Sequence, residues 1–396
     1  MNARVKRKLL SVPSVKKVKS PPVVPKRREV PVVFCGDAHY GPYLPVAVQS
    51  LIDHASDRCH YQIIILDCGI EQDITAALQR QIRQCENFSL HIKNMAAYLQ
   101  RYNSIFRERH YFTQAIYGRL LIPQLCRGYD KVIYADIDMI FNRDIAELMA
   151  IDLGGNYIAA VPDALLAIER LAGERNALYI ENIAGLSPRD IYVNSGLLVF
   201  NARLWRKDRL INKILRFIEG KKLLLPDQDA INAVCKGRIH YLPQAWNCLN
   251  RYYLDRWLTK SGREQQKHPA IAPILAEWQA AQADKRSVYH YNGPLKPWGR
   301  AAADKAALWW HYAAKTELYP CYIYNLAAAP ALDEAGNRRT VYKFLGLAVW
   351  AVKQRGRESL YLLAGKLRLA KKVTRKNAVY IYVFGLKLFA INRRQG

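Results

Sequence analysis

Short apolar runs alternate with helical patterns along the first two-thirds of the chain, and this alternation restricts the possible folds more than any other feature. Residues 30–35 and 61–66 are apolar runs of the kind that form buried strands. Residues 44–52 and 74–85 have the apolar spacing of helices. This order is typical of βαβ units, so we expect a parallel sheet with helices on both faces.

The alternation continues through the middle of the chain. The later segments are strands at 89–92, 131–135, 157–161 and 196–200, and helices at 113–125 and 205–219. Pro226 and Asp227 begin another helix, with Asp227 as its N-cap, because proline is tolerated at a helix entrance and aspartate is a good cap. No internal repeat of fixed period is evident. We therefore predict one α/β domain over residues 31–315.

The positive charge of the chain is concentrated at its two ends. Of the net charge of +27, residues 1–30 contribute +9, residues 337–396 contribute +14, and residues 31–336 contribute only +4. This distribution indicates a nearly neutral body whose ends bind polyanions. Prolines interspersed among the basic residues predict a disordered basic arm over residues 1–30.

Residues 316–396 are interpreted as a basic amphipathic region that associates with a membrane. Apolar and basic residues share the same turns over residues 341–372, which predicts a helix lying on a membrane surface. Residues 379–389 are aromatic and β-branched, and they fit either a final strand or an interfacial anchor. No apolar run approaches the roughly 20 residues that a spanning helix needs.

Cysteine usage and the first residues of the chain predict its compartment. The eight cysteines include no pair at C-x-x-C spacing, so they indicate reduced thiols rather than a zinc site or a disulfide framework. The charged start of the chain has no secretory pattern. We therefore expect a cytoplasmic protein, peripherally bound to the inner face of the cytoplasmic membrane.

Asp136-Ile137-Asp138 directly follows the predicted strand at 131–135. Ligands of open parallel sheets bind at the carboxyl ends of strands. Two aspartates at i and i+2 lie on the same side of an extended chain, and a divalent cation relieves their repulsion. The pair therefore predicts a metal site. The structural alternative is a pair of turn-forming, capping aspartates.

His290 begins the segment His290-Tyr291-Asn292-Gly293-Pro294-Leu295-Lys296, after a predicted short strand at 287–289. An imidazole can complete an oxygen-rich Mn²⁺ site. Gly293 and Pro294 form a turn, after which Lys296 is available to a phosphate. The structural alternative is a buried histidine with satisfied nitrogens and an exposed lysine.

Gly36-Asp37-Ala38-His39-Tyr40 follows the first predicted strand, where doubly wound folds bind a nucleotide base and ribose. The Asp37 carboxylate can accept hydrogen bonds from the nucleoside, and the Tyr40 ring can stack. The absence of a G-x-G-x-x-G pattern argues against a dinucleotide cofactor. The structural alternative is an ordinary strand-to-helix turn.

Three further polar groups interrupt apolar surroundings. They are His110 with Arg119, the segment Asn194-Ser195-Gly196, and the segment Asp227-Gln228-Asp229. Each has a structural explanation of its own, such as helix capping by Asp227 or solvation of Arg119. Their functional interpretation depends on the other motifs.

In their order along the chain, these motifs resemble glycosyltransferase family 8, and within it the bacterial lipopolysaccharide α-galactosyl- and glucosyltransferases. The resemblance covers about residues 31–300. The matching segments are Val32-Val33-Phe34-Cys35-Gly36-Asp37, Lys131-Val132-Ile133-Tyr134-Ala135-Asp136-Ile137-Asp138, Tyr192-Val193-Asn194-Ser195-Gly196-Leu197-Leu198-Val199-Phe200-Asn201, Pro226-Asp227-Gln228-Asp229 and His290-Tyr291-Asn292-Gly293-Pro294-Leu295-Lys296-Pro297-Trp298.

The resemblance implies a GT-A type fold, a Rossmann-like mixed sheet flanked by helices. It also implies that Asp136, Asp138 and His290 hold Mn²⁺ or Mg²⁺ on the diphosphate of a UDP-sugar. The other implied contacts are Asp37, His39 and Tyr40 to uridine, Gly293 and Lys296 to diphosphate, and His110, Arg119, Asp163, Asn194, Asp227 and Gln228 to the donor sugar, the last two being catalytic candidates. His39 stands where the family often has asparagine, and the spacing from His110 to Arg119 is one residue longer than usual.

The resulting hypothesis is a retaining hexosyltransferase that moves galactose or glucose from a UDP-sugar to a lipopolysaccharide- or lipooligosaccharide-type acceptor. Its expected partners are the donor, an oligosaccharide or glycolipid acceptor and an anionic membrane surface, without specific nucleic acid. Two alternatives stay open. The pI of 9.8 fits a nucleic-acid-binding protein, and the aspartate pair fits a metal-dependent phosphohydrolase.

Overall fold

The structure is a computed structural model. It describes residues 27–106, 114–173, 175–183, 185–187, 190–252, 254, 257, 269–299, 303–328, 331–332, 338–344, 347–355, 358–363, 367–375, 378–383 and 386–392. The predicted arm over residues 1–30 lies mostly outside this part.

A seven-stranded mixed sheet forms the centre of the fold. Its strands are β1 (Arg28–Gly36), β2 (Cys59–Asp67), β3 (Phe88–Asn94), β4 (Lys131–Ala135), β6 (Ile158–Pro162), β7 (Val193–Asn201) and β8 (Ile239–Tyr241). Their order is β3-β2-β1-β4-β7-β6-β8. A small second sheet contains β5 (Met139–Ile140), β9 (Cys248–Leu249) and β10 (Tyr289–His290), in the order β5-β10-β9.

Helices cover both faces of the central sheet, as the alternation predicts. They are α1 (Leu44–Ile52), α2 (Gln72–Arg83), α3 (Ala96–Arg101), α4 (Ile122–Leu125), α5 (Ala164–Leu171), α6 (Arg175–Ile183), α7 (Ala202–Lys207), α8 (Leu210–Ile218), α9 (Pro226–Cys235), α10 (Ile271–Ala283), α11 (Ala306–Ala313) and α12 (Tyr319–Ala328). Short 3-10 helices span Gly41–Tyr43, Gln114–Leu121, Ile145–Ala150 and Gln244–Trp246. The Tyr322 hydroxyl of α12 donates to the Pro42 carbonyl at 2.7 Å.

Alternate residues of one strand enter two different cores. Val32 and Phe34 of β1 pack in the core that contains α1 and α2, whereas Val33 packs in the core that contains α7, α8 and α9. Successive side chains of a strand point to opposite faces, so a strand buried on both faces reads as an uninterrupted apolar run.

The sheet is mixed, as the family resemblance implies, whereas the strand–helix alternation by itself predicts a parallel sheet. Strands β1, β2, β3 and β4 pair in parallel, but β7 is antiparallel to both β4 and β6. The apolar run at 196–200 could not reveal this, because a strand covered on both faces has the same composition in either direction. The predicted helix at 205–219 is also divided, since Arg209 adopts a left-handed conformation with φ of 51°.

The C-terminal segment is an antiparallel sheet, so the helix predicted at 341–372 is wrong. Its strands are β11 (Ala331–Leu332), β12 (Arg338–Phe344), β13 (Leu347–Arg355), β14 (Glu358–Leu363), β15 (Leu367–Arg375), β16 (Ala378–Val383) and β17 (Leu386–Asn392), each paired with the next. Glycine or asparagine recurs in the sequence at Gly346, Gly356, Gly365, Asn377 and Gly385. Turn residues at this spacing, between β-branched and aromatic runs, favour hairpins over one helix.

This sheet also contains an internal repeat, contrary to the expectation from sequence. The first strands of three successive hairpins start at Arg338, Glu358 and Ala378, which are 20 residues apart. The repeat is difficult to recognise in the sequence because few identities survive between the copies. Among them are Tyr342 and Tyr382, which are two repeat lengths apart.

Strand register separates the residues of the C-terminal sheet into rows of different character. One row across β12–β17 consists of Arg339, Lys353, Leu360, Lys371, Tyr382 and Lys387. The adjacent row consists of Thr340, Val352, Tyr361, Ala370, Val383 and Leu386. The first row therefore contains four basic residues, and the second contains none.

Among the described helices, none combines the length and apolarity required to cross a bilayer.

Candidate active site

Two aspartates and a histidine converge where β4 ends. Asp136 and Asp138 lie between β4 and β5, and β5 pairs antiparallel with β10, which contains His290. His290 pairs with Met139, the residue after Asp138. One ligand atom from each of the three side chains lies within 4.8 Å of the others. The predicted convergence of this cluster is confirmed.

The cluster has the chemistry of a hard divalent-cation site. His290 Nε2 lies 3.2 Å from Asp138 Oδ1 and 3.8 Å from Asp136 Oδ2. Two carboxylates and one imidazole nitrogen form an oxygen-rich donor set of the kind that suits Mn²⁺. Asp136 remains partly exposed, with 21% of its side chain accessible. The cluster is therefore accessible to a cation from the side of Asp136.

Lys296 contributes the positive charge closest to Asp138. Its ammonium donates to Asp138 Oδ2 and, at 2.6 Å, to the Tyr291 carbonyl. Burial opposes ionisation of Asp138, but the adjacent Lys296 and His290 outweigh it and hold the pKa of Asp138 well below its usual range. Asp138 is therefore a carboxylate at neutral pH, as a metal ligand must be.

The ring of His290 is held tightly in the interior. Its Nδ1 lies 2.8 Å from Asn247 Oδ1, so Nε2 faces the aspartates. Gly196 lies against the ring, and a Cβ at this position would be only 2.5 Å from His290 Cε1. Glycine is therefore required at position 196 for close approach between β7 and the imidazole.

Arg119 connects the cluster of Asp136, Asp138 and His290 to the start of α9. Its Nη2 lies 2.9 Å from Asp136 Oδ1, and its Nε lies 3.1 Å from Asp227 Oδ2. Its Nη1 donates at 3.0 Å to both the carbonyl and the hydroxyl of Ser195. The guanidinium carbon also lies 4.7 Å from the centroid of the Tyr134 ring. Arg119 is buried, so it is not the solvated helix residue of the structural alternative.

Amide and hydroxyl groups form the second half of the site. Asp163 Oδ2 accepts from Asn194 Nδ2 at 3.1 Å and lies 3.5 Å from Gln228 Nε2. Asp163 Oδ1 caps α5 by accepting from the Leu166 backbone N–H at 3.1 Å. Gln228 Oε1 accepts from the Ser195 backbone N–H at 2.9 Å. Asp163, Asn194 and Gln228 are therefore brought together by three separate elements.

Asp227 does not cap α9, contrary to the expectation from sequence. The N-cap is Leu225, Pro226 occupies the first turn, and no side chain caps this helix. The Asp227 carboxylate instead accepts from the Ser195 hydroxyl at 3.1 Å and faces Arg119. The backbone N–H groups of a first helical turn favour an anion, so Asp227 is stabilised there without capping.

Asp229 has a structural role. Its carboxylate accepts from the Tyr179 hydroxyl at 2.5 Å, the Tyr192 hydroxyl at 2.6 Å and the Leu225 backbone N–H at 3.1 Å. Asn232, one turn further along α9, exchanges hydrogen bonds with both backbone groups of Val193 at 2.7 and 2.8 Å. These contacts fix α9 against β7 and thereby orient Gln228.

The loop after β1 and the segment around Lys296 lie side by side. Asp37 Oδ1 accepts from the backbone N–H groups of His39 and Tyr40, both at 3.0 Å. The Tyr40 ring meets Trp298 edge-on at 6.2 Å, and its centroid lies 5.5 Å from the Lys296 ammonium. The residues predicted to contact nucleoside and diphosphate are therefore neighbours.

Gly293 provides the turn between His290 and Lys296. Its φ is 81°, a left-handed conformation that glycine adopts without strain. Asn250 anchors the preceding residue, because its backbone N–H donates at 3.1 Å to Asn292 Oδ1. His110, in contrast, lies outside the described residues.

The sequence interpretation omitted Asn247 as a site residue and did not assign a role to Ser195. Ser195 bonds Arg119, Asp227 and Gln228, and Asn247 bonds His290. The available signal for Asn247 was a single polar residue within the apolar run from Ala245 to Leu249. A buried polar residue in such a run needs a partner, but its identity cannot be read from the run.

This mixed sheet, with an Asp-Ile-Asp segment and a histidine at its strand ends, has the GT-A type of fold that the family resemblance implies. The chain belongs to glycosyl transferase family 8, whose family model matches residues 31–302.

Three relatives illustrate the range of similarity. A putative glycosyltransferase of Haemophilus influenzae is 24% identical over 220 residues, 54% of this chain and 62% of that protein. General stress protein A of Bacillus subtilis is 26% identical over 276 residues, 67% of this chain and 86% of that protein. A lipopolysaccharide 1,2-glucosyltransferase of Escherichia coli K12 is 26% identical over 197 residues, 48% of this chain and 51% of that protein. The match thus spans less than two-thirds of two of these relatives.

Two solved structures show the same fold. The apo structure of the bifunctional glycosyltransferase WbbM has a TM-score of 0.65 and 25% identity, covering 78% of this chain and 53% of that chain. The galactosyltransferase LgtC, solved in complex with donor and acceptor sugar analogues, has a TM-score of 0.55 and 23% identity. That comparison covers 73% of this chain and 96% of LgtC.

Proposed function

We propose that this protein transfers galactose or glucose from a UDP-sugar to a lipopolysaccharide- or lipooligosaccharide-type saccharide, with retention of anomeric configuration and with Mn²⁺ or Mg²⁺. The observation that carries the proposal is the convergence of Asp136, Asp138 and His290 within 4.8 Å, beside the Lys296 ammonium. The similarity to the E. coli lipopolysaccharide 1,2-glucosyltransferase supports a lipopolysaccharide acceptor.

The charged half of the site suits the diphosphate. Asp136, Asp138 and His290 would hold the cation, which stabilises negative charge on the leaving UDP. Lys296 lies on the same side and adds a point charge for the phosphates. The Tyr40 ring lies beside the Lys296 ammonium and could stack on the nucleoside. Asp37 fixes the loop that contains Tyr40 by accepting a hydrogen bond from the Tyr40 backbone N–H. Gly293 gives the backbone close access to the diphosphate.

The half of the site around Asp163, Asn194 and Gln228 suits the sugar. Breaking the anomeric bond leaves an oxocarbenium-like ring, which nearby polar oxygens stabilise. Gln228 and Asp227 are the catalytic candidates, and Asp163, Asn194 and Arg119 surround them with hydrogen-bonding groups. His39 and His110 remain predicted donor contacts.

A panel of UDP-sugars with Mn²⁺ tests the proposal. UDP release is measured with and without core-oligosaccharide acceptors, for wild type, Asp138→Asn and the exposed control Asp57→Asn. We expect acceptor-dependent release with one hexose donor, loss in Asp138→Asn and wild-type rates in Asp57→Asn. A rate of UDP release that is the same with and without acceptor would instead favour a phosphohydrolase. Salt-sensitive oligonucleotide binding without UDP binding would favour a nucleic-acid-binding protein.

We also propose that the C-terminal sheet binds the anionic surface of the membrane, on its cytoplasmic side, where a glycolipid acceptor is held. Its support is the net charge of +14 over residues 337–396 and the row containing Arg339, Lys353, Lys371 and Lys387. Each basic residue near an anionic surface contributes about 1 kcal/mol, so four in one row suffice for reversible binding.

Matched charge variants test this second proposal. The triple variant Lys353→Gln, Lys371→Gln, Lys387→Gln removes three charges from the row. The triple variant Lys343→Gln, Arg355→Gln, Lys372→Gln removes three from other rows of the same sheet. We expect the first variant to lose more binding to anionic liposomes than the second. Equal losses of liposome binding in the two variants would refute a role for the row. Absence of binding between the wild-type protein and anionic liposomes would refute membrane binding.

A further inference from the structure

We propose that Asn247 is a positioning residue that keeps the ring proton of His290 on Nδ1, so that the Nε2 lone pair faces Asp136 and Asp138. Asn247 is completely buried, directly before β9, and β9 pairs with β10. The inference rests on the proposed function insofar as Nε2 is the atom offered to a cation. The position of the ring proton is a separate claim with its own measurement.

The hydrogen-bond direction is set at the far end of a buried chain of side chains. A carboxylate can only accept, so Asp163 Oδ2 requires the amide nitrogen of Asn194 as its donor, 3.1 Å away. That requirement turns Asn194 Oδ1 away from Asp163. Asn194 Oδ1 in turn accepts from Asn247 Nδ2 at 2.8 Å.

A backbone donor independently fixes the same orientation. The N–H of Gly196 donates to Asn194 Oδ1 at 2.9 Å, and a backbone N–H can only donate. Rotating the Asn194 amide by half a turn would place its NH₂ against this N–H and its oxygen against the Asp163 carboxylate. Both contacts would be repulsive, so two groups of fixed polarity determine the amide.

The direction then passes to the histidine. Because Asn247 Nδ2 donates to Asn194, Asn247 Oδ1 is the atom that faces His290 Nδ1, at 2.8 Å. An amide oxygen can only accept, so Nδ1 must carry a proton. A neutral imidazole has one N–H, which leaves a lone pair on Nε2, 3.2 Å from Asp138 Oδ1.

Removal of Asn247 should therefore change the preferred ring tautomer as well as packing. With an apolar side chain at 247, Nδ1 loses its acceptor while Nε2 keeps the carboxylate of Asp138 as one. The proton then prefers Nε2, the atom needed as ligand. Mutation of the outer hydrogen-bond partner of a metal-ligating histidine typically lowers metal affinity by about 10- to 100-fold.

Three variants separate this role from simple packing. Asn247→Leu removes the acceptor while keeping the same number and branching of side-chain heavy atoms. Asn247→Asp keeps an acceptor toward Nδ1 but loses the donor to Asn194, so it destabilises the fold while preserving the tautomer. Asn201→Leu is the matched control, because Asn201 also uses both ends of its amide but lies at the opposite end of β7 from Asn194.

The first measurement is Mn²⁺ affinity by electron paramagnetic resonance, with unfolding measured in EDTA to record stability separately. We expect Asn247→Leu to bind Mn²⁺ about 10- to 100-fold more weakly, Asn247→Asp to retain most of the affinity, and Asn201→Leu to match wild type despite lower stability. Equal affinity of Asn247→Leu and Asn201→Leu would overturn the proposal.

The second measurement is the ring ¹⁵N spectrum of His290 in metal-free protein, at a pH where the ring is neutral. We expect a protonated Nδ1 in wild type and Asn247→Asp, and a shift of the proton to Nε2 in Asn247→Leu. An Nε2-protonated wild-type ring would overturn the inference even if Mn²⁺ binds. Wild-type protein that binds no Mn²⁺ but has Nδ1 protonated would refute the proposed metal and leave the Asn247 assignment standing.

Discussion

Asp138 and Asp163 are both buried at the same site, but their surroundings differ in kind. Asp138 faces an ammonium and an imidazole, which hold its pKa well below the usual range against the opposing effect of burial. Asp163 faces two side-chain amides and one backbone N–H, and burial raises its pKa despite them. The Asp138 carboxylate is therefore balanced by the full charge of an ammonium, whereas the Asp163 carboxylate is surrounded by dipoles.

The difference indicates what each half is suited to bind. Another cation can join or displace the ammonium of Lys296 beside Asp138, so this half is suited to a metal ion and phosphates. The dipoles around Asp163 are satisfied by one another and keep a fixed geometry, as recognition of sugar hydroxyls requires. Arg119 contacts both halves, through Asp136 on one side and Asp227 on the other.

The largest expected difference between the halves is in activity. Asp138→Asn should lower kcat/KM for UDP-sugar turnover by at least about 100-fold, because a cation ligand is lost. Asp163→Asn should retain more activity, because one amide oxygen can still accept from Asn194. Steady-state kinetics at saturating Mn²⁺ compare the two variants. Equal losses would mean that the halves are not functionally distinct.

Removal of the connection between the halves should mainly affect stability. Arg119→Met leaves Asp136 and Asp227 as uncompensated carboxylates, and we expect a loss of about 3–5 kcal/mol in the free energy of unfolding. The exposed Arg203→Met is the control and should change it by less than about 0.5 kcal/mol. Urea denaturation measures both. A small loss for Arg119→Met would indicate that water replaces the guanidinium.

A smaller effect is expected where β7 meets the histidine. Gly196→Ala would place a Cβ 2.5 Å from His290 Cε1, so the ring must shift from its position beside the aspartates. Overpacking of this kind costs about 1–3 kcal/mol and should weaken Mn²⁺ binding. Gly128→Ala, which meets nothing within 4 Å, is the control. Unchanged Mn²⁺ affinity in Gly196→Ala would show that the imidazole position is not critical.

The acid dependence of stability should separate the two aspartates by sign. The carboxyl group of an unperturbed aspartate has a pKa of about 3.9. In EDTA, the lowered pKa of Asp138 adds stability above that pH, which is lost as the pH falls. The raised pKa of Asp163 adds stability below that pH, which is lost as the pH rises through its folded pKa.

Unfolding free energies measured from acid to neutral pH test this sign. Asp138→Asn should flatten the rise of stability with pH, and Asp163→Asn should make it steeper. The same change of slope in both variants would contradict the contrast between the two environments.

Much of the fold followed from local pattern. The buried strands β1, β2 and β4 are apolar runs, and the Asp136-Ile137-Asp138 segment lies at a strand end, as its context predicts. The antiparallel direction of β7 was not predictable, because composition reports burial but not direction. The C-terminal sheet was missed because basic and apolar residues fit a helix face as easily as alternate strand positions.

The same division holds within the site. The sequence by itself determined which chemical groups are available: carboxylates, an imidazole, a lysine and a glycine-containing turn, at the ends of recognisable strands. Only the tertiary structure decided that Asp227 faces Arg119 instead of capping α9, and that Asn247 orients His290. The reason is that hydrogen-bond direction depends on partners far away in sequence. The series of hydrogen bonds from Asp163 to His290 contains three contacts, whose partners are separated by 31, 53 and 43 positions in the sequence.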